Sequence, residues 1–305
     1  MPKDFLTVAD WPADALWSMV DRATYLRRNH RTGKRPRTLE GRILAMYFEK
    51  PSLRTHVTFE AGIAQLGGHA ILLKPEQVGI GTRESAEDVA RSLSRWVDFI
   101  MARTFSHELV ENLARNATVP VVNGLTDLLH PCQAMADLVT IAGVMKPGNA
   151  TIAYVGDGNN VANSLINLAA VLGLRLRVAT PASHPPATRV LGPARELAKA
   201  SGAEIRLLQD PVEAVKGANF VYTDTWTSMG QEKEAEERRK LFAPYQVNRE
   251  LLAYGDDPYF LHCLPAHRGE EVTDEVLDGP RSLVFDQAEN RLHAQNAILE
   301  HLLSS

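Results

Sequence analysis

Five short polar stretches carry the residue types that chemistry needs: Ser52-Leu53-Arg54-Thr55, Arg103-Thr104, His130-Pro131-Cys132-Gln133, Asp224 to Gly230, and His262-Cys263-Leu264-Pro265. The first follows Lys50-Pro51 and puts two hydroxyls and a guanidinium on the opening turn of a helix. N–H groups in such a turn lack intrahelical acceptors, and the helix dipole favours negative charge, so this stretch predicts an anion site, most naturally for phosphate. The same residues also fit a capping serine beside a solvated arginine. His262-Cys263 with His267 raises zinc or a thiol nucleophile. Adjacent strand residues point to opposite faces and the chain has one other cysteine, so no metal is expected. No oriented Cys–His pair can be identified, and a small buried residue at a strand end is the plainer role for Cys263. Gly156-Asp157-Gly158 after an apolar run invites a dinucleotide reading, but the third glycine position falls on Val161 and the next strand ends Val178-Ala179-Thr180-Pro181 without a carboxylate. No cofactor is expected. The stretch reads instead as a turn whose Asn159 and Asn160 present amides to a ligand between domains.

The elements that position these residues follow from periodicity. Residues 42–49 form a short apolar run, read as a buried strand, and Val57 to Leu66 recur at helical spacing behind Ser52 as N-cap. Further strands are predicted at 69–73, 99–102, 119–123, 151–155, 175–179, 204–208, 219–224, 259–264 and 282–285. Helices are predicted from an Asp10 cap through Ala23, from Ser85 to Trp96, over 107–116, from Ala134 to Ala142, from the 156–160 turn to Gly173, and over 287–303. Residues 76–83 read as a polar loop. Residues 231–240 read as a helix-prone, mobile surface element, because their charges would be costly to bury. Alternating strands and helices imply parallel sheets covered by helices. The fold class is α/β: two doubly wound parallel-sheet domains with an active-site cleft between them, joined by two crossing helices. Residues 1–145, completed by a C-terminal helix over 287–305, form one domain, and 146–286 the other. In such sheets ligands collect at the carboxyl ends of strands, where all five polar stretches fall.

Composition narrows the partners. A net charge of −4 gives no general reason to bind nucleic acid. The six Lys or Arg residues between Arg27 and Arg37 fit a solvated helix end and turn better than a nucleic-acid arm. No apolar run reaches the roughly 18 residues of a membrane span, and the N-terminus has no signal core. Two cysteines, Cys132 and Cys263, do not make a disulfide framework, so a reducing, cytoplasmic setting is expected.

Taken together, FEKPSLRT, HPCQAMADLVTI, VGDGNNVANSL, DTWTSMGQE, HCLPAHRGEEVTDEV and FDQAENRLHAQ resemble the aspartate/ornithine transcarbamylase family, and within it the ornithine carbamoyltransferases. The resemblance implies two α/β domains, an active site between them, and assembly as homotrimers or multiples of trimers. It implies that Ser52, Leu53, Arg54 and Thr55 hold the phosphate of carbamoyl phosphate, and that Arg103, His130, Gln133 and Arg291 surround its phosphate and carbonyl oxygens. Gln77 matches a glutamine contributed by a neighbouring subunit. Asn160, Asp224, Ser228 and Met229 match the ornithine-binding positions, and Cys263 and Leu264 the place where the reacting groups meet, where the family has a cis Leu-Pro bond. Ser228-Met229-Gly230 favours L-ornithine over aspartate or putrescine as acceptor. His56 stands where the family commonly has arginine, and Leu53 where it commonly has threonine. The implied reaction gives citrulline and phosphate, with Arg54, Thr55, Arg103, His130 and Cys263 as the catalytic set. A transcarbamylase for another amine, such as putrescine, and a catalytically silent paralogue are the alternatives.

Overall fold

The computed structural model describes residues 2–227, 230 and 232–303, the side chain of Glu232 aside. The chain divides into two compact units, Met1–Val139 with Glu289–Ser305, and Thr140–Ala288. In chain order the first unit opens with α1 (Ala13–Arg31), β1 (Ile43–Phe48), α2 (Leu53–Gln65), β2 (His69–Leu73), α3 (Pro75–Val78), α4 (Ala86–Leu93), β3 (Phe99–Arg103), α5 (His107–Asn116) and β4 (Val121–Leu125). The division falls inside α6 (Pro131–Ala142). The second unit continues with β5 (Thr151–Val155), α7 (Asn160–Leu172), β6 (Arg175–Ala179), α8 (Thr188–Ser201), β7 (Glu204–Leu208), α9 (Pro211–Val215), β8 (Phe220–Tyr222), α10 (Ala235–Phe242), α11 (Arg249–Leu252), β9 (Tyr259–Leu261) and α12 (Asp274–Leu277). The last helix, α13 (Val284–Leu303), carries the chain back into the first unit.

Both sheets are parallel throughout. The first has strand order β2-β1-β3-β4 and the second β7-β6-β5-β8-β9. In each, the chain winds outward to one edge, returns past its first strand and winds the other way. That reversal opens a crevice at the carboxyl ends of the two central strands, β1 and β3 in the first unit and β5 and β8 in the second. Helices cover the sheets because the strands are apolar on both faces: β1, β3 and β5 are buried almost throughout. The first core gathers Tyr47, Ile100, Val110, Leu113 and Val121, and the second Val155, Val221, Trp226, Phe242 and Phe260. Among the described residues no helix is long and apolar enough to cross a membrane.

Four expectations change. Asp10 does not cap α1. It ends a single 3₁₀ turn capped by Thr7, after which Trp11 runs extended into the core and α1 starts behind Pro12. The loop 76–83 opens inside the short helix α3, at whose start Gln77 Oε1 accepts from Lys74 N at 3.0 Å. Residues 282–285 are not a strand. With β9 three residues long, Ser282 makes one isolated bridge to Phe260 before α13 begins. The charged segment is not wholly superficial either, because Arg238 of α10 is buried against Asp157. Gln231 lies outside the described residues.

Candidate active site

In the first unit the crevice is lined by the segments that leave β1 and β3. Phe48 and Arg103 are register partners, so the chain leaving β1 starts beside Arg103. The pairing of β3 with β4 shifts register between Ala102 and Arg103, an irregularity of the kind that re-aims a side chain at a strand end. Ser52 is the N-cap of α2, its Oγ accepting from Thr55 N at 3.2 Å. Thr55 is fully buried, and its hydroxyl oxygen accepts from Arg103 Nη1 at 3.2 Å and from Arg291 Nη2 at 2.7 Å. Arg291 lies on α13, which thereby completes a cluster whose other members come from the first half of the chain. Lys50, just before the motif, is buried, pairs with Asp127 and lies 4.3 Å over the Phe105 ring. It ties the loop after β1 to the segment leading into His130. Leu53 is exposed, as suits a residue whose useful group is its backbone N–H.

Burial, then the charges of Arg291, Arg103 and Arg54, hold His130 well below its usual pKa of 6.5. The imidazole is neutral at pH 7 and offers a hydrogen bond without a charge. Gln133, on the first turn of α6, donates through Nε2 to Asp137 Oδ1 at 2.8 Å, while its buried Oε1 has no donor among the described residues. Cys132 between them is inert: burial pushes its thiol up to about 12, and its Sγ donates to Asn123 O. Guanidiniums, a capped helix start, a hydroxyl and a neutral imidazole together suit a compact dianion joined to a polarised carbonyl.

The buried histidines also set a pH dependence. His130 and His293, the latter pushed down to about 4 chiefly by burial, stay neutral in the folded chain, whereas the unfolded chain takes up protons near 6.5. Their stabilising contribution is therefore complete above about 6.5 and is lost as pH falls below it, for His293 down through about 4. The melting temperature should drop between pH 7 and pH 5, and His293→Gln should shrink that drop. A melting temperature that is flat over this interval in the parent chain would contradict it.

In the second unit Asp224 follows β8. Its Oδ1 accepts from Thr225 N at 2.8 Å and Cys263 Sγ at 3.0 Å, and its Oδ2 from Asn159 Nδ2 at 2.7 Å. Asn159 Oδ1 caps α7 through Val161 N and Ala162 N. Both ends of the Asn159 amide thus have partners inside the protein, where the sequence suggests an amide presented to a ligand. Asn160, the next residue, is half-buried at the start of α7. Cys263 is half-buried, and its thiol donates to the Asp224 carboxylate, not to an imidazole.

The ring nitrogens of His262 have partners of their own. Its Nδ1 accepts from Leu264 N at 2.8 Å and its Nε2 lies 3.2 Å from Glu271 Oε1. The strand argument against a shared metal fails in its premise, because β9 ends at Leu261 and Asp224, His262 and Cys263 bring ligating atoms within 4.8 Å of one another. Both ring nitrogens of His262 are nevertheless engaged, so the imidazole serves neither a metal nor Cys263. Leu264 has φ 57° and its bond to Pro265 is cis. At Gly158 a Cβ would sit 2.3 Å from the Pro185 carbonyl carbon, and Gly158 N donates to His184 O. The glycine admits the close approach of the 184–186 chain.

Ser52, Arg54, Thr55, Arg103, His130, Gln133 and Arg291 thus belong to the first unit, and Asn160, Asp224, Cys263 and Leu264 to the second. Gln77 is exposed on α3, and Ser228 and Met229 lie outside the described residues. Sequence reasoning missed Lys50, Asp127, Glu271, Asp157 and Arg238. Lys50, Asp157 and Glu271 stand inside the family motifs, and their burial against partners distant in sequence or unpredicted was the missing information.

Known proteins carry the same organisation. Residues 3–143 match the family model for the carbamoyl-P binding domain of aspartate/ornithine carbamoyltransferase, and residues 148–302 that for its Asp/Orn binding domain. An anabolic ornithine carbamoyltransferase from Pyrococcus furiosus is 52% identical over 301 residues, 97% of this chain and 95% of the relative. An ornithine carbamoyltransferase from Anoxybacillus flavithermus is 52% identical over 303 residues, 99% of this chain and 96% of the relative. The solved P. furiosus structure superposes with a TM-score of 0.93 at 51% identity, covering 97% of this chain and 95% of that one. An anabolic ornithine carbamoyltransferase structure from Campylobacter jejuni gives a TM-score of 0.93 at 36% identity, covering 99% of both chains. Matches at this identity and coverage span both units, and the chain belongs to the aspartate/ornithine carbamoyltransferase family.

Proposed function

We propose that this protein is an ornithine carbamoyltransferase, moving the carbamoyl group of carbamoyl phosphate to the side-chain amine of L-ornithine to give L-citrulline and phosphate. The observation that carries the reading is the buried Thr55 hydroxyl held by Arg103 and Arg291 beside the capped start of α2. The phosphate sits at that helix start on Ser52, Leu53, Arg54 and Thr55. Thr55, Arg103 and His130 donate to the carbonyl oxygen, whose negative charge grows as the amine attacks, with Gln133 and Arg291 completing the surround. A neutral His130 suits this task, because it adds a donor without further charge crowding among the arginines. Asn160, Asp224, Ser228 and Met229 bind ornithine, and Cys263 and Leu264 flank the attacking δ-amine, whose proton passes to a phosphate oxygen. Cys263 orients and does not attack, in keeping with its bond to Asp224.

Residues 1–145 with 287–305 form the carbamoyl phosphate domain and 146–286 the ornithine domain, the reactants meeting in the cleft between them. Holding both in attack geometry supplies much of the rate. An exposed Gln77 suits a residue lent to a neighbouring subunit of a homotrimer. Free cysteines suit a cytoplasmic setting. The anabolic names of two relatives support the citrulline-forming direction.

The test is to incubate the protein with carbamoyl phosphate and, in turn, ornithine, putrescine and aspartate, measuring ureido product and phosphate. Product with ornithine alone is expected, and its absence would overturn the reading. Ser228→Ala should raise the ornithine KM far more than the carbamoyl phosphate KM. Equal effects on both would remove Ser228 from the acceptor site.

A further inference from the structure

Arg238 lies in the charged segment that the sequence assigns to the surface, yet its side chain is 4% exposed. Its guanidinium donates from Nη2 to Asp157 Oδ2 at 2.6 Å and from Nε to the Trp226 carbonyl at 2.5 Å, and lies 5.0 Å over the Phe242 ring. Phe242 in turn stacks on Trp226, with ring centroids 6.0 Å apart. Asp157 belongs to the turn between β5 and α7, and Trp226 follows Asp224 by two residues after β8. These are the two segments that meet at the crevice of the second sheet. They touch at a second point, Asn159 Nδ2 to Asp224 Oδ2.

Taking an arginine and an aspartate out of water costs several kcal/mol, and a well-packed apolar pair of similar volume is often at least as stable. Global stability is thus a poor reason for this pair. Geometry is a better one. A planar guanidinium sends donors along fixed directions to two acceptors on different segments, which an ammonium group cannot reproduce. Asp157 also lies in the field of Asp224, so losing the cation would leave that repulsion uncompensated.

We infer that Arg238, through Asp157 and the Trp226 carbonyl, is a positioning residue for the acceptor amino acid. It holds the segment from Asp224 to Trp226 against the turn from Gly156 to Asn159, and so fixes the Asp224 carboxylate where ornithine is bound. The inference rests on the ornithine reading above.

The test compares the full-length enzyme with Arg238→Met, Arg238→Lys and Asp157→Asn, varying each substrate while the other is saturating. Arg238→Met should raise the ornithine KM about ten-fold or more, the loss of one charge-assisted hydrogen bond, and leave the carbamoyl phosphate KM within about two-fold. Arg238→Lys should recover part of the ornithine KM, since lysine reaches Asp157 without also serving the Trp226 carbonyl. Asp157→Asn should show the same split at smaller size. An unchanged ornithine KM in Arg238→Met, or equal rises for both substrates, overturns the inference. If Arg238→Met does not fold, Asp157→Asn decides by the same two criteria. If the parent enzyme does not turn over ornithine, the substrate reading fails instead. The clamp is then judged by hydrogen exchange of residues 224–227, which Arg238→Lys should accelerate; unchanged exchange overturns it.

Discussion

Arg54→Gly should lower kcat by about three orders of magnitude or more, with the chain still folded. Removing one preorganised donor from an oxyanion site costs about 10²–10³ on its own. Arg54 is asked for more than one donor. It sits on the first turn of α2 beside the Ser52 cap, and its charge reaches His130 together with those of Arg103 and Arg291. On the proposed reading its loss takes a cation from the leaving phosphate, and it weakens the field that keeps His130 neutral. Glycine also adds about 1 kcal/mol of helix cost, so Arg54→Met is the control for backbone effects. The Ser52 cap and the Thr55 hydrogen bonds to Arg103 and Arg291 do not involve the Arg54 side chain, so the pocket should survive. Single-turnover kinetics with saturating carbamoyl phosphate and ornithine check the outcome. Near-parental turnover in both variants would remove the phosphate from this helix start.

Much of this site was legible because a topological rule converts sequence order into position. Strand, polar residue, helix is readable from apolar runs followed by Ser52, Arg103 or Asp224, and a doubly wound sheet sends each such end to the same edge. Tertiary partners made the choices that the sequence hid. Asn159 had two uses, a ligand and a cap, and the nearby α7 donors and Asp224 took both ends of its amide. Arg238 stands among residues that belong in water, and only a buried carboxylate some 80 positions earlier makes its burial tolerable, a pairing no local pattern announces. The apolar run from Leu283 to Phe285 has strand character, but three-residue β9 gives it little edge to extend, so the helical periodicity behind it wins. Asp10 had the chemistry of a cap and lost the role because Trp11 was drawn into the core ahead of it.

Asp224→Asn should cut kcat/KM for ornithine about 100-fold while leaving the carbamoyl phosphate KM near its parental value, since hydrogen bonds to a charged group are worth about 1.5–3 kcal/mol and about 1.4 kcal/mol is ten-fold. The geometry explains why so small a change cannot be absorbed. Oδ1 is committed to Thr225 N and the Cys263 thiol, so the new NH₂ must replace Oδ2 and face the NH₂ of Asn159. Asn159 cannot flip to receive it without turning its own NH₂ toward Val161 N and Ala162 N, which its Oδ1 now caps. One donor is left facing another, or α7 loses its cap, at about 1–2 kcal/mol either way. The double variant Asp224→Asn with Asn159→Asp separates structure from function. Aspartate at position 159 is a good N-cap and accepts from the new amide, so the melting temperature should return toward that of the parent. The negative charge then sits at 159 and not at 224, where the proposed reading orients the ornithine amine, so kcat/KM should stay low. Recovery of activity together with stability would mean that Asp224 matters for its hydrogen bonds alone, and would take the acceptor carboxylate away from position 224.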